Sequence, residues 1–387
     1  MEKILSDYIK KQQNALKDIR WEIHNNPELS NNEIETTNTI EEFLCEYGIK
    51  FTRFKNIHGG YVFIDNKKAS SIAYRADIDA LPITEKTNCN YSSKNNGIMH
   101  ACGHDIHTTI ALGLCLVLNN FKEKLDNNFI IIFQPAEENN PVGGSKDVIN
   151  EGIFNEYNIK EVYGAHCWPK YKVGDVLVRQ GTQQASSNKF IAHIEGKNSH
   201  AAEPHLGIDA INISIQFIDY ALNKLRREIS PNDVCVVSIG KMESTGRYNV
   251  ISNNVSIEGT IRSSSEEVKH LIFDRLNSYI RVLNEFYGTN SVIEIADGYG
   301  PVINDRDLVR KFIEKQSNYN DINIISDFNM SLIAEDFYAY GKVAKSMFAF
   351  LGCGVDESLH SDKFLPDEDL IYFGVLAFAR YFILWYI

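Results

Sequence analysis

Cys102 and His104 are separated only by Gly103, so one turn can aim both side chains at a single centre. A thiolate beside an imidazole suits zinc or another borderline metal. Glu137 and Glu138 are adjacent, and neighbouring carboxylates repel unless positive charge lies near them. One of the pair can bind metal while the other stays free as a general base. His166 and His360 each follow an apolar run. Each piece alone has an ordinary explanation: a chance Cys-Gly-His, two solvated glutamates, a structural histidine at a strand end. Together they make the inventory of a two-metal site, which needs about four to six ligands. Glu335 and Asp336 add late carboxylates that suit either the support of ligands or an exposed loop. Cys115 and Cys353 read as core or loop thiols, and His193, His205 and His270 as surface or helix histidines.

These side chains must be positioned by strands. Short β-rich runs fall at 61–64, 72–74, 129–133, 162–165 and 347–351, with helical stretches at 107–118 and 144–150. Strands alternating with helices predict an α/β domain with a mostly parallel sheet. The run at 72–74 leads into Asp77 and Asp79, that at 129–133 into Glu137 and Glu138, that at 162–165 into His166, and that at 347–351 into a Gly-rich turn and His360. Open α/β sheets place their sites outside the carboxyl ends of the strands. Two helices precede the sheet: one carries Ile9, Leu16, Ile19 and Ile23 at helical spacing and stops at Asn26 and Pro27. Ser30 and Glu33 have the spacing of a capping box opening the second, which Gly48 ends.

The middle of the chain changes character. Strand patterns at 189–195, 234–239, 255–261 and 291–295 interleave with helical patterns at 209–225 and 266–287. The order β-α-β-β-α-β is that of a split βαβ, ferredoxin-like module. The expected layout is an α/β domain at 1–181 and 299–387, interrupted by an inserted domain at 182–298.

Composition narrows the function classes. The 387 residues carry 39 Lys and Arg against 51 Asp and Glu, a formal charge of −12. That balance argues against a nucleic-acid binder, whose affinity depends on clustered cations, and against an anionic membrane surface. The apolar stretch 372–387 is too short to span a bilayer and is cut by Arg380, so it reads as a buried helix. The seven cysteines are odd in number and scattered, and the first residues lack a signal-like apolar stretch, which together predict a reducing, cytoplasmic location.

The motifs in their order resemble a known family. They are His24, Pro27, Glu28 and Leu29; Arg75, Asp77, Asp79 and Pro82; Met99, His100, Cys102, His104 and Asp105; Gln134, Glu137 and Glu138; His166, Cys167, Trp168 and Pro169; Ser199, His200 and Ala202; and Gly352, Gly354, Leu359 and His360. The chain resembles the metal-dependent N-acyl-amino-acid amidohydrolases, which include N-acetyldiaminopimelate deacetylase, hippurate hydrolase, aminoacylases and indoleacetyl-amino-acid hydrolases, in the dinuclear zinc peptidase clan. The resemblance implies a catalytic α/β domain with an inserted βαββαβ lid. It implies two divalent ions, Zn²⁺ or Mn²⁺ first and Co²⁺ or Ni²⁺ next. Cys102, His104, Glu138, His166 and His360 would be the ligands, with Cys102 as the bridge and Asp77 and Asp79 behind them. Glu137 would be the general base. His200 on the lid would reach the substrate carbonyl, in some relatives from the partner subunit, and Asn249 and Arg262 match lid positions that contact the substrate. Ser252 and Ile106 depart from the family, which often has Pro and Gly there.

The implied reaction is hydrolysis of the amide of an N-acyl L-amino acid by a metal-bound hydroxide, with N-acetyl-LL-diaminopimelate the sharpest single substrate. The alternative is a dinuclear metallopeptidase for dipeptides or small peptides. The partner is a small molecule, not a nucleic acid or a membrane, and a homodimer through the lid fits the analogy.

Overall fold

The structure, a computed structural model, describes residues 1–384. The chain divides into two compact units. The first comprises Met1–Gln183, Ile303–Asn329 and the chain from Asp336 on; the second comprises Gln184–Val302 and Met330–Glu335.

The first unit is built on an eight-stranded sheet. In spatial order its strands are β1 (Phe51–Arg53), β2 (Gly60–Ile64), β4 (Asn128–Gln134), β3 (Ser71–Asp77), β5 (Ile159–Trp168), β14 (Lys345–Gly352), β6 (Asp175–Leu177) and β13 (Asn323–Ile325). The central four, β4, β3, β5 and β14, run parallel. They are buried almost throughout, as expected for parallel strands covered on both faces. Their carboxyl ends therefore lie at one edge of the sheet and face the same way, and the chemistry-bearing residues follow from those ends.

The helices Glu2–Asn25, His104–Asn120 and Asp369–Leu384 pack on one another. Residues 104–118 are buried, so the middle helix is enclosed on all sides, polar in its first turns and apolar from Ile110 to Leu118. Arg380, in the last of the three, is fully buried and is matched by Gln316, Glu2 and Asp321. Residues 385–387 of the apolar C-terminal stretch lie outside the described residues. Among the described residues, no helix is long and apolar enough to cross a membrane.

One local expectation fails. Ser30 and Glu33 do not form a capping box: the second helix begins at Ile34, with no side-chain cap. The Ser30 hydroxyl instead donates to Asp79 Oδ2 at 2.7 Å, and Glu33 accepts the backbone N–H groups of Asn31 and Ala136 at 3.0 and 2.8 Å. Tertiary partners at the strand ends outcompete the local cap.

The second unit carries a four-stranded antiparallel sheet in the order β11 (Val292–Tyr299), β8 (Ser187–Glu195), β10 (Asn254–Ser263), β9 (Cys235–Ser244). With the helices Ala210–Asp219 and Glu266–Tyr287, this is the β-α-β-β-α-β order of a ferredoxin-like module. Alternate residues Phe190, Ala192 and Ile194 of β8 pack with Ile213 and Phe217 of one helix and Ile272, Leu276 and Ile280 of the other. Asp209 caps the first helix, accepting from the N–H groups of Ile211 and Asn212, and Ser265 caps the second through Val268. The remaining strands, β7 (Gly181–Gln184) and β12 (Val302–Asn304), pair with each other.

Candidate metal centre

Four polypeptide segments deliver the candidate ligands within the first unit. Gly103 adopts φ +81° and starts the helix His104–Asn120, so His104 is its first residue. A side chain at Gly103 would bring its Cβ to 2.4 Å from the Cys167 sulfur, so only glycine lets this turn lie against β5. Glu137 and Glu138 follow β4 after Ala136, which is itself left-handed at φ +59°. That conformation costs a non-glycine residue about 1–2 kcal/mol and re-aims the chain at the point where the two carboxylates leave the strand. His166 lies on β5, and His360 (φ +65°) is held by its N–H to Ala101 O at 2.9 Å.

The histidines are committed at one nitrogen and open at the other. His104 Nδ1 lies 2.9 Å from Asp79 O and 3.1 Å from Asp79 Oδ1, whereas its buried Nε2 has no hydrogen-bond partner. His166 Nδ1 lies 2.7 Å from Cys167 O, and its Nε2 is 3.3 Å from Cys102 Sγ. Glu138 is fixed through its backbone N–H, which donates to Asp79 Oδ2 at 2.9 Å. Its Oε1, 3.2 Å from His360 Nε2 and 3.9 Å from His104 Nε2, is buried without a hydrogen bond. The ligand atoms of Cys102, His104 and His166 lie within 4.8 Å of one another, and so do those of Cys102, Glu138 and His360. The two donor sets share Cys102.

His107 and Asp77 also fall within reach of these atoms, but their own atoms are spent. His107 Nδ1 is 2.6 Å from Asp77 Oδ1, and its Nε2 accepts the N–H of Cys167 at 2.8 Å. Asp77 Oδ2 accepts from Arg75 Nη1 at 2.8 Å. Asp77 thus contacts His107 and Arg75, and Asp79 contacts His104, an arrangement common around ligating histidines.

The electrostatics call for positive charge. Burial, then Glu138 and Glu137, push the Cys102 thiol well above its ordinary value, so a thiolate there requires a cation beside it. Burial disfavours a charged His104, yet Asp77, Asp79 and Glu138 outweigh it and raise its pKa to about 10. Burial and His107 drive His166 well below the usual range, which keeps it neutral and able to ligate. Orphaned Nε2 and Oε1 atoms, a mixed S/N/O donor set and surplus carboxylate all fit divalent ions.

His200, Asn249 and Arg262 lie in the second unit. His200 Nδ1 accepts the N–H of Ala202 at 3.1 Å, and His200 pairs with Val250 in an isolated bridge beside Asn249. Arg262 is on β10 and half-buried. The contacts that Ser30, Glu33, Arg75 and His107 make around these residues were not evident from the sequence. The one available hint was a charged Arg75 inside an otherwise apolar strand.

A model of the peptidase family M20/M25/M40 matches residues 73–383. The N-acetyldiaminopimelate deacetylase of Listeria monocytogenes serotype 4a is 32% identical over 361 residues, covering 92% of this chain and 95% of that protein. Thermostable carboxypeptidase 2 of Saccharolobus solfataricus is 32% identical over 387 residues, covering 98% and 97%. Among solved structures, the Bacillus subtilis YxeP protein, described as a dinuclear metal binding peptidase from the M20 family, matches with a TM-score of 0.86 at 29% identity, covering 97% of this chain and 98% of that one.

Proposed function

The chain belongs to the peptidase family M20/M25/M40, and from that premise we propose that it hydrolyses the amide bond of N-acyl L-amino acids, with N-acetyl-LL-diaminopimelate the foremost candidate. It is a metal-dependent amidohydrolase. The observation that carries the proposal is the pair of donor sets sharing Cys102, with Glu137 next in sequence to Glu138 and buried.

Cys102, His104 and His166 would hold one divalent ion and Cys102, Glu138 and His360 a second, Zn²⁺ or Mn²⁺ first and Co²⁺ or Ni²⁺ next. Ions held there would supply polarisation of the scissile carbonyl and a lowered pKa for water. Glu137 takes a proton from the attacking water as its oxygen bonds to the carbonyl carbon. The proton then passes from Glu137 to the amide nitrogen as the carbon–nitrogen bond breaks, leaving a carboxylic acid and a free amine. Asp79 holds His104 through Nδ1 and Glu138 through its N–H, so one carboxylate sets two ligands. His200 would donate to the carbonyl oxygen as negative charge develops there, and Asn249 and Arg262 would contact the substrate's carboxylate or carbonyl. The odd, scattered cysteines fit a reducing, cytoplasmic setting. A homodimer through the second unit is part of the same reading, and sedimentation would test it.

A second reading, cleavage of dipeptides or small peptides, is favoured by the carboxypeptidase relative. Free-amine release from N-acetyl-LL-diaminopimelate, other N-acetyl amino acids, hippurate and unblocked dipeptides separates the two. Metal-dependent release from a blocked substrate supports the first; release from unblocked dipeptides alone replaces it with the second.

A further inference from the structure

We propose that Asp336 and Arg75 are positioning residues: together they fix the loop that carries Glu137 and Glu138 against the strand ends that carry the histidines. The proposal rests on the reading of Glu137 and Glu138 given above. The loop 135–144 leaves β4 and folds back on its own start. A Cβ on Gly144 would lie 1.8 Å from Pro135 O, so the two ends of the loop are in backbone contact. Asp336, fully buried, clamps that closed base. Its Oδ2 accepts the N–H groups of Gly144 and Ser145, each at 2.9 Å, and the Gln134 amide at 2.8 Å. The Ser145 hydroxyl donates to the backbone oxygen of Asp336 at 2.8 Å. The segment before the loop, its end and Asp336 are therefore locked as one piece.

Arg75, 1% exposed, joins that piece to the rest of the centre. Nη2 donates to Asp336 Oδ1 at 2.7 Å, Nε to Gln134 Oε1 at 2.8 Å and Nη1 to Asp77 Oδ2 at 2.8 Å. Asp77 in turn holds His107, which accepts the N–H of Cys167 beside His166. One buried chain of hydrogen bonds, charge-assisted at Asp336, Arg75 and Asp77, thus runs from the base of the loop of Glu137 and Glu138, across β3, to the strand of His166. A buried ion pair costs desolvation and is weak evidence of stability. Its value here is geometric, since the planar fork of an arginine fixes three acceptors at once where a lysine cannot. A loop shift of about 1 Å at the reacting groups can cost roughly 100-fold in rate.

The test uses Asp336→Asn and Gly144→Ala in the full chain. Asparagine offers one oxygen where Asp336 uses two, and alanine pries the loop base apart without changing any charge. Each variant, shown folded by circular dichroism, is loaded with Co²⁺. We expect unchanged metal stoichiometry and an altered visible absorption spectrum. We also expect faster hydrogen exchange across 137–145, seen in the metal-free protein too. In turnover, kcat should fall about 10- to 100-fold with KM within about 3-fold. The double variant should fall little below either single one, because both release the same constraint. A folded Asp336→Asn with the wild-type cobalt spectrum and wild-type loop exchange would overturn the proposal. If Asp336→Asn does not fold, Gly144→Ala decides by the same two readouts. A wild type inactive on every N-acyl substrate would remove the functional reading, and the spectrum and exchange would still judge the brace.

Discussion

At the scale of single residues, ligands and supports are told apart by which atoms remain uncommitted. His104 and His107 are both buried histidines near the same carboxylates, yet His104 keeps Nε2 open while both nitrogens of His107 are used. Metal analysis of two variants checks this. His104→Gln should lose bound metal. His107→Gln should keep two ions at saturating metal, with affinity weakened about 10- to 100-fold, as for other groups that orient a ligand. Equal metal loss in both would return His107 to the ligand set. The candidate ligands were legible because their residue types are rare at strand ends and carry chemistry on their face. Asp336 was legible only as a carboxylate that suits either ligand support or an exposed loop, and Arg75 and Glu33 were not legible, because their contacts depend on partners distant in sequence: Arg75 meets Asp336 across 261 positions, and Glu33 meets Ala136 across 103.

At the scale of elements, Glu33 shows how the centre reshapes its surroundings. It sits at the start of the helix Ile34–Glu46, but its carboxylate serves the turn at Ala136 instead of the helix. Burial, then the Asp79 carboxylate, lift its pKa from 4.5 to about 7. The folded protein therefore keeps a proton on Glu33 that the unfolded chain releases near pH 4.5, so this group's contribution to stability falls as pH rises from 4.5 to 7. Glu33→Gln has no proton to lose. Its melting temperature relative to wild type should climb across that window, and an unchanged difference would contradict the assignment. Periodicity recovered the elements better than it recovered their ends. The β-α-β-β-α-β order and the helix Glu266–Tyr287 were legible, since caps and alternation are local. The helix expected at 107–118 begins at His104, because a glycine turn against β5 rather than a local cap starts it.

At the scale of the whole molecule, the four parallel strands at the centre of the large sheet collect residues from Asp77 to His360 at one edge, which is why a sequence read strand by strand points to one centre. The same sheet makes metal and fold interdependent. The carboxylates of Asp77, Asp79 and Glu138 gather around His104, and bound cations would offset the repulsion between them. Stripping metal with a chelator should lower the melting temperature, and free ion at about 1,000 times its Kd should restore about 4 kcal/mol. Identical melting with and without metal would mean that the ions do not bind the folded state in preference. The pattern of the chain gave no sign that 330–335 groups with the second unit, since that grouping depends on contacts across the sequence rather than on local composition.

The most direct measurement is turnover of N-acyl amino acids by wild type and Glu137→Ala, with bound metal determined in the same samples. The account predicts two ions in both proteins, chelator-sensitive release of free amine by the wild type, and a loss of about 100- to 10,000-fold in kcat for the variant. A fully metallated Glu137→Ala that turns over near the wild-type rate would contradict it, and would leave the proton transfer to another group.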